Sequence, residues 1–257
     1  MLTIPWMFTR KLAASVALAS ALAGCAADGS FDPNAAMNVG AGVLQAATLS
    51  EDSVKQTASL AAQQMDSENQ VPPASSPYTK RLAKITQGMA NIDGLNLNFK
   101  VYMSQDINAF AMADGTVRVF SGLLDAMPDD QVLAVIGHEV GHVTLKHSYQ
   151  QMQQKLLTDS AFAAAVSVGG TVGALTSSQL GQLGAAVVSA QFSQKDELEA
   201  DQYAVGTLRK LGKDPYAMKR AIETLQSKYG SEDSFLASHP SNAKRIEKIQ
   251  AAIDGKK

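Results

Sequence analysis

Residues 137–142 read Gly-His-Glu-Val-Gly-His, and the spacing of His138, Glu139 and His142 constrains the fold more than any other feature. Histidines four residues apart sit about 40° apart around an α-helix, so both imidazoles reach one point. Glu139 lies three residues before His142 and borders the same face. Two imidazole nitrogens suit zinc better than magnesium or calcium, which prefer oxygen. A zinc ion with one open position lowers the pKa of its bound water to about 7, and a neighbouring carboxylate takes the proton as that water attacks a carbonyl. The run Val132-Leu133-Ala134-Val135-Ile136 suits a buried helix, with Asp129 and Asp130 at its start. The pattern predicts one helix from Asp129 to about Leu157.

One Zn2+ per chain needs a further protein ligand, usually His or Glu. Asp196-Glu197-Leu198-Glu199-Ala200-Asp201 supplies it. Glu197 and Asp201 share a helical face, so one can bind the metal while the other accepts a hydrogen bond from a ligand histidine. Glu199 lies about 200° from Glu197 and points elsewhere. Asp196 and Glu199 read as a solvated first turn. His147 is about 140° around the helix from His142, and reads as a structural or surface histidine. A protein of another class, an envelope chaperone or assembly factor with a non-catalytic zinc site, would have no use for Glu139.

The 257 residues carry a net charge of −2 without a Lys/Arg cluster, which excludes a nucleic-acid footprint. The one cysteine, Cys25, excludes a disulfide framework and a Cys-rich zinc site. Arg10 and Lys11 followed by the short apolar run 12–22 read as a signal segment, residues 1–24. Leu22-Ala23-Gly24-Cys25 resembles a bacterial lipobox, which implies cleavage before Cys25 and lipidation of that residue as the membrane anchor. Ala26 follows, rather than the aspartate associated with inner-membrane retention. The expected location is therefore the outer membrane of a Gram-negative cell, facing the periplasm.

Residues 25–50, rich in Ala, Gly and Asn, read as a lipidated tether, and 51–257 as the catalytic domain. Helices are expected over Glu51–Glu68 and Tyr78–Asn91. A strand is expected over 95–103, where Leu95, Leu97, Phe99, Val101 and Met103 alternate with polar residues. Segments 108–113 and 116–120 form a hairpin around Asp114-Gly115, and Ser121–Met127 a short helix. The Ala/Gly-rich stretch Ala161–Ala190 is too interrupted by glycine for a membrane hairpin, and reads as packed small-residue helices or a mobile flap. Ser193 and Asp196 fit a capping box. Asp214-Pro215 opens a further helix, closed by Gly230, and the last helix ends near Ile253.

His138-Glu139-Val140-Gly141-His142 with Glu197-Leu-Glu-Ala-Asp201 resembles the gluzincin family of the heat-shock protease HtpX and the CAAX prenyl protease. Asn108-Ala109-Phe110-Ala111, Ser121-Gly122-Leu123, and His239-Pro240-Ser241 followed by Arg245-Ile246 are similar to its other signatures. The likeness covers about residues 50–254, and with the lipobox it points to periplasmic lipoprotein peptidases. Where the family commonly has Ser-Arg before the glutamate helix, this chain has Ser193-Gln194-Lys195. The resemblance implies an α+β, mainly α, zincin-like domain with a small sheet, and a zinc endopeptidase that cleaves envelope polypeptides in quality control. His138, His142 and Glu197 then hold zinc, Glu139 is the base, and Asp201 orients a ligand histidine. Asn108–Ala111 is an edge strand for extended substrate, or an ordinary core strand. His239 is read as a donor to the developing oxyanion. A resting-state fourth ligand is its alternative, and a helix-entry residue whose ring caps Ser241 its plainest reading.

Overall fold

The computed structural model describes residues 50–159, 162, 175–229, 234–240 and 243–255. The signal segment, Cys25, the tether up to residue 49, most of the first half of Ala161–Ala190, Gly230 and Ser241 lie outside these residues. Helix α1 (Glu51–Glu68) has its expected bounds. The Ser50 hydroxyl accepts from the Ser53 N–H at 3.1 Å, and Glu51 and Asp52 complement the positive end of the helix. Val54, Ala58, Ala61 and Met65 form its buried stripe.

Helix α2 (Pro77–Ile85) begins on proline and stops six residues before the expected end at Asn91. A hairpin takes up the difference. Strand β1 (Asn91–Ile92) pairs antiparallel with β2 (Leu95–Asn96). Asp93 and Gly94 both have positive φ, 48° and 79°, as a two-residue turn between strands demands. The strand expected over 95–103 is therefore two strands in two sheets. The break falls at Leu97, whose N–H turns back to the Ala90 carbonyl at 2.8 Å.

Strand β3 (Asn98–Tyr102) runs parallel to β5 (Thr116–Phe120), and β4 (Ala109–Ala111) pairs antiparallel with β5 as the expected hairpin. The order β3-β5-β4 puts β4 at an edge of the sheet. Gly115 in the hairpin turn has φ 90°, and a Cβ there would lie 2.4 Å from the Asn96 carbonyl oxygen. Only glycine meets both conditions.

Helix α3 (Ser121–Ala126) leads to α4 (Asp129–Thr144), which carries the two histidines and the glutamate. Every residue of α4 from Gln131 to Val143 is buried, so it has no solvent face. Full burial of side chains such as Val132, Val135, Ile136 and Val140 is worth about 1.5–3 kcal/mol each. The single helix expected to Leu157 is interrupted. Lys146 adopts the left-handed conformation at φ 65°, and α5 (His147–Thr158) starts in a new direction. Glycine is the usual residue for such a helix stop, so a lysine there gives no sequence signal.

Helix α6 (Ser177–Val188), the second half of the Ala/Gly-rich stretch, packs on α1 as a small-residue helix. Among the described residues no helix is long and apolar enough to cross a membrane. Helix α7 (Gln194–Lys210) opens with the expected reciprocal Ser193–Asp196 capping box. Helices α8 (Tyr216–Tyr229), α9 (Ser234–Ser238) and α10 (Ala243–Ile253) follow. The architecture is mainly helical with small sheets, as expected. Helix α4 sits at its centre, touched by α7, α8, β4 and β5.

Candidate active site

Helix α7 approaches α4 closely because small residues face each other. Gly137 lies against Ala204 and Gly141 against Ala200. A Cβ on Gly141 would meet the Ala200 Cα at 3.1 Å. That closeness carries Glu197, at the start of α7, to the two histidines of α4.

Nε2 of His138 and Nε2 of His142 are 3.1 Å apart. Glu197 Oε2 lies 3.5 Å from the first, and Glu197 Oε1 3.4 Å from the second. His239, from the segment after α9, completes the cluster. Its Nδ1 is 3.3 Å from His138 Nε2 and 2.9 Å from Glu197 Oε1. Its Nε2 is 3.4 Å from Glu139 Oε1. All five side chains are buried.

These separations test whether a metal fits. Four ligands on zinc at about 2.0–2.1 Å define a tetrahedron with edges of about 3.3 Å, and the distances between neighbouring ligand atoms run from 2.9 to 3.5 Å. His138, His142, Glu197 and His239 form a buried group able to hold one ion. Glu139 Oε1 is buried and accepts no hydrogen bond among the described residues. Such an orphaned oxygen is costly unless a cation or water serves it. The donor set and the orphaned oxygen both fit a metal centre.

The outer nitrogens of the histidines are engaged too. His138 Nδ1 lies 2.9 Å from Asp201 Oδ1. His142 Nδ1 lies 3.1 Å from Nδ1 of His147, whose Nε2 is 3.2 Å from Glu199 Oε2 and 3.6 Å from Asp196 Oδ1. Both Nε2 atoms are thereby left to face the metal position. His147 is buried, and the break at Lys146 returns its ring to the site. Glu199 points away from Glu197, as helical geometry requires. It faces His147 together with Asp196, so neither is the purely solvated residue expected of a first turn.

Arg245 on α10 is buried and ties the outer layer together. Its Nε and Nη2 donate to Asp201 at 2.8 Å each, and its Nη1 to the His239 carbonyl at 2.9 Å. Nη1 is also 2.7 Å from Glu197 Oε2. Its family signature marks it in the sequence, but spacing alone suggests no partner. Phe192 carries no sequence signal either. Its ring stacks on His142 with centroids 3.7 Å apart, and Phe235 stacks on His239 at 4.7 Å.

These charges interact. Burial raises the pKa of Glu139 despite His239 and His138 nearby. Burial drives that of His142 well down. Burial alone would raise Glu197 and Asp201, but His239 and His142 outweigh it for Glu197 and Arg245 for Asp201, so both lie below the carboxylate range. For His239, burial works against the charged ring, and Glu139 and Glu197 reverse the sign, raising its pKa.

The expected substrate strand runs beside the base. The Ala111 backbone lies beside the Glu139 carboxylate and favours its charged form, and the Ala111 carbonyl accepts from Ser148 Oγ at 3.3 Å. Asn108 Oδ1 accepts from the Ala109 N–H at 2.9 Å. Ala109, Phe110 and Ala111 are all buried, although β4 is an edge strand.

The description of peptidase family M48 matches residues 77–253, more than half of the chain. The chain belongs to peptidase family M48. It is accordingly a metallopeptidase. It is 44% identical to the metalloprotease LoiP of Escherichia coli (strain K12) over 246 residues, 95% of this chain and 96% of LoiP. It is 39% identical to the metalloprotease YcaL of the same organism over 247 residues, 95% of this chain and 97% of YcaL. A beta-barrel assembly-enhancing protease of E. coli K12 is 28% identical over 187 residues, 68% of this chain and 38% of that relative.

Proposed function

We propose that the chain is a zinc-dependent endopeptidase acting on polypeptides of the cell envelope, in protein quality control. The observation that carries this reading is the convergence of two histidine Nε2 atoms and the Glu197 carboxylate at zinc-like spacing, with buried Glu139 beside them. His138, His142 and Glu197 hold the metal. When bound, zinc supplies an acidified water and polarises the scissile carbonyl. Glu139 takes the water's proton and returns it to the leaving amine. Asp201, aligned by Arg245, holds the His138 ring with Nε2 inward. Edge strand β4 receives an extended substrate along Asn108–Ala111.

His239 Nδ1 stands where a fourth ligand belongs, at ligand-to-ligand distance from His138 and Glu197. This geometry favours the resting-state ligand over the oxyanion donor read from the sequence. A substrate carbonyl then requires the ring to move aside. Lipidation at Cys25 would hold the enzyme at the outer membrane, facing the periplasm. The envelope role is drawn from the lipobox and from the relatives, one of which is named for beta-barrel assembly.

The test is casein hydrolysis by the purified mature protein, with and without chelator, beside Glu139→Gln. The variant should keep zinc and lose at least about 10²-fold in rate. Chelator-insensitive hydrolysis, or near-normal turnover in the variant, would reject the mechanism.

A further inference from the structure

We propose that His147 is a positioning residue for His142, holding the ligand ring through Nδ1 and passing the hydrogen bond on to Glu199. The proposal rests on His142 as a ligand, the reading given above. Five residues on in an unbroken helix, His147 would lie about 140° around the axis and out of reach. The left-handed Lys146 ends α4, and His147 as first residue of α5 turns back to place its Nδ1 3.1 Å from Nδ1 of His142.

Two ring nitrogens at that distance share one proton. A neutral His142 that binds metal through Nε2 carries its proton on Nδ1 and is the donor. His147 Nδ1 is therefore the bare acceptor, and the proton of neutral His147 sits on Nε2. That nitrogen faces acceptors only, Glu199 Oε2 at 3.2 Å and Asp196 Oδ1 at 3.6 Å. Every proton in the chain His142–His147–Glu199 has one place. The arrangement parallels that of His138, whose outer nitrogen is held by Asp201. Helix α7 thus supplies a metal ligand, Glu197, and the terminal carboxylates of both chains.

His147, Asp196 and Glu199 also lie close enough to hold a metal ion of their own. Proton placement argues against it. A metal on His147 Nε2 would move the ring proton to Nδ1, where it meets the N–H of His142. Two protons would then occupy a gap of 3.1 Å. The cluster serves as a hydrogen-bond terminus while His142 holds zinc.

The test compares His147→Leu and His147→Asn in the full mature protein, by zinc stoichiometry and by the rate of zinc release to a chromogenic chelator. Leucine fills the space without an acceptor, whereas the asparagine amide oxygen replaces Nδ1. The leucine variant should release zinc about 10–100-fold faster, and asparagine should return the rate to within about threefold of the parent. Thermal stability of the metal-free proteins should be similar in all three, which a packing role would not give.

Unchanged release from His147→Leu overturns the proposal, as does an asparagine variant no better than leucine. A second zinc equivalent in the parent, lost in His147→Leu, overturns it in favour of an accessory metal site. His142→Ala is the control. If it keeps zinc like the parent, the ligand reading itself has failed. Should His147→Leu not fold, Glu199→Ala on the more exposed helix face carries the test. Release a fewfold faster, with one zinc retained, supports the chain of bonds, and parental release overturns it.

Discussion

The guanidinium of Arg245 grips Asp201 by both oxygens, Nε to Oδ2 and Nη2 to Oδ1 at 2.8 Å each, in a site where both side chains are about 1% exposed. Through Nη1 the same group reaches the His239 and Pro240 carbonyls. One buried cation therefore sets the partner of His138 and the segment bearing His239.

Arg245→Met should destabilise the protein by about 3–5 kcal/mol, because it leaves Asp201 buried and uncompensated. Urea unfolding measures this. Arg245→Lys should recover little, since a point charge cannot match two oxygens and two carbonyls. Stability within about 1 kcal/mol of the parent in either variant would contradict the clamp.

The two glycines of α4 should differ. A Cβ on Gly141 would sit 3.1 Å from Ala200 Cα and 3.2 Å from the Ala200 carbonyl oxygen, so α7 must shift. Gly141→Ala should cost about 1–3 kcal/mol and lower zinc content, because Glu197 moves with α7. At Gly137 the nearest contact is an ordinary 3.4 Å to Ala204. Gly137→Ala should be tolerated or stabilise by up to about 1 kcal/mol through helix propensity. Elemental analysis beside denaturant melts checks both, and an equal loss in the two variants would refute the contrast.

Asp66 on α1 predicts an acid dependence remote from the metal site. Burial pushes its carboxyl upward, but Arg118, Lys100 and Tyr102 more than reverse this and hold its pKa below the usual value. The contacts are 2.8 Å to Arg118 Nε, 2.6 Å to Lys100 Nζ and 2.8 Å to the Tyr102 hydroxyl. A carboxyl depressed in the folded state stabilises above its unfolded pKa of about 3.9, and that contribution is lost as pH falls through the folded value. Asp66→Asn should be less stable at neutral pH, and the difference from the parent should shrink below about pH 4. Stability curves from pH 7 to 2 measure it, and a constant difference would assign the effect to packing.

His239→Ala separates the two functional roles of that ring. With Nδ1 at the fourth position, removal should leave zinc bound and raise hydrolysis of an unstructured peptide. Each 1.4 kcal/mol by which the closed arrangement is favoured hides a factor of about ten in apparent affinity. An oxyanion donor would instead give a fall of about 10²–10³ in kcat. Steady-state kinetics with measured metal content distinguishes these outcomes, and a change under about twofold would discard both.

Much of the site was legible in the sequence because helical geometry is local. The spacing of His138 and His142 put two nitrogens on one face, and the capping box at Ser193 placed Glu197 and Asp201 on the first turns of α7. Residues within about two turns of each other need no knowledge of the fold. The hairpin at Asp93-Gly94 was not read from the sequence, because its Asp-Gly turn signal was masked by the longer alternation that follows it.

Tertiary structure alone decided the rest. A lysine in the left-handed conformation has no composition cue, yet it turns His147 from a residue on another face into the neighbour of His142. The pairing of Arg245 with Asp201 spans 44 residues, and the approach of His239 to His138 spans 101. The parallel alignment of β3 with β5 likewise depends on packing across a connection. The sequence by itself determined which side chains share a helical face, His138 with His142 and Glu197 with Asp201, since residue type and helical spacing are local properties of the chain. Only the folded structure decided how each is oriented and what covers it, because hydrogen bonds between distant segments exist only once the core has brought those segments together.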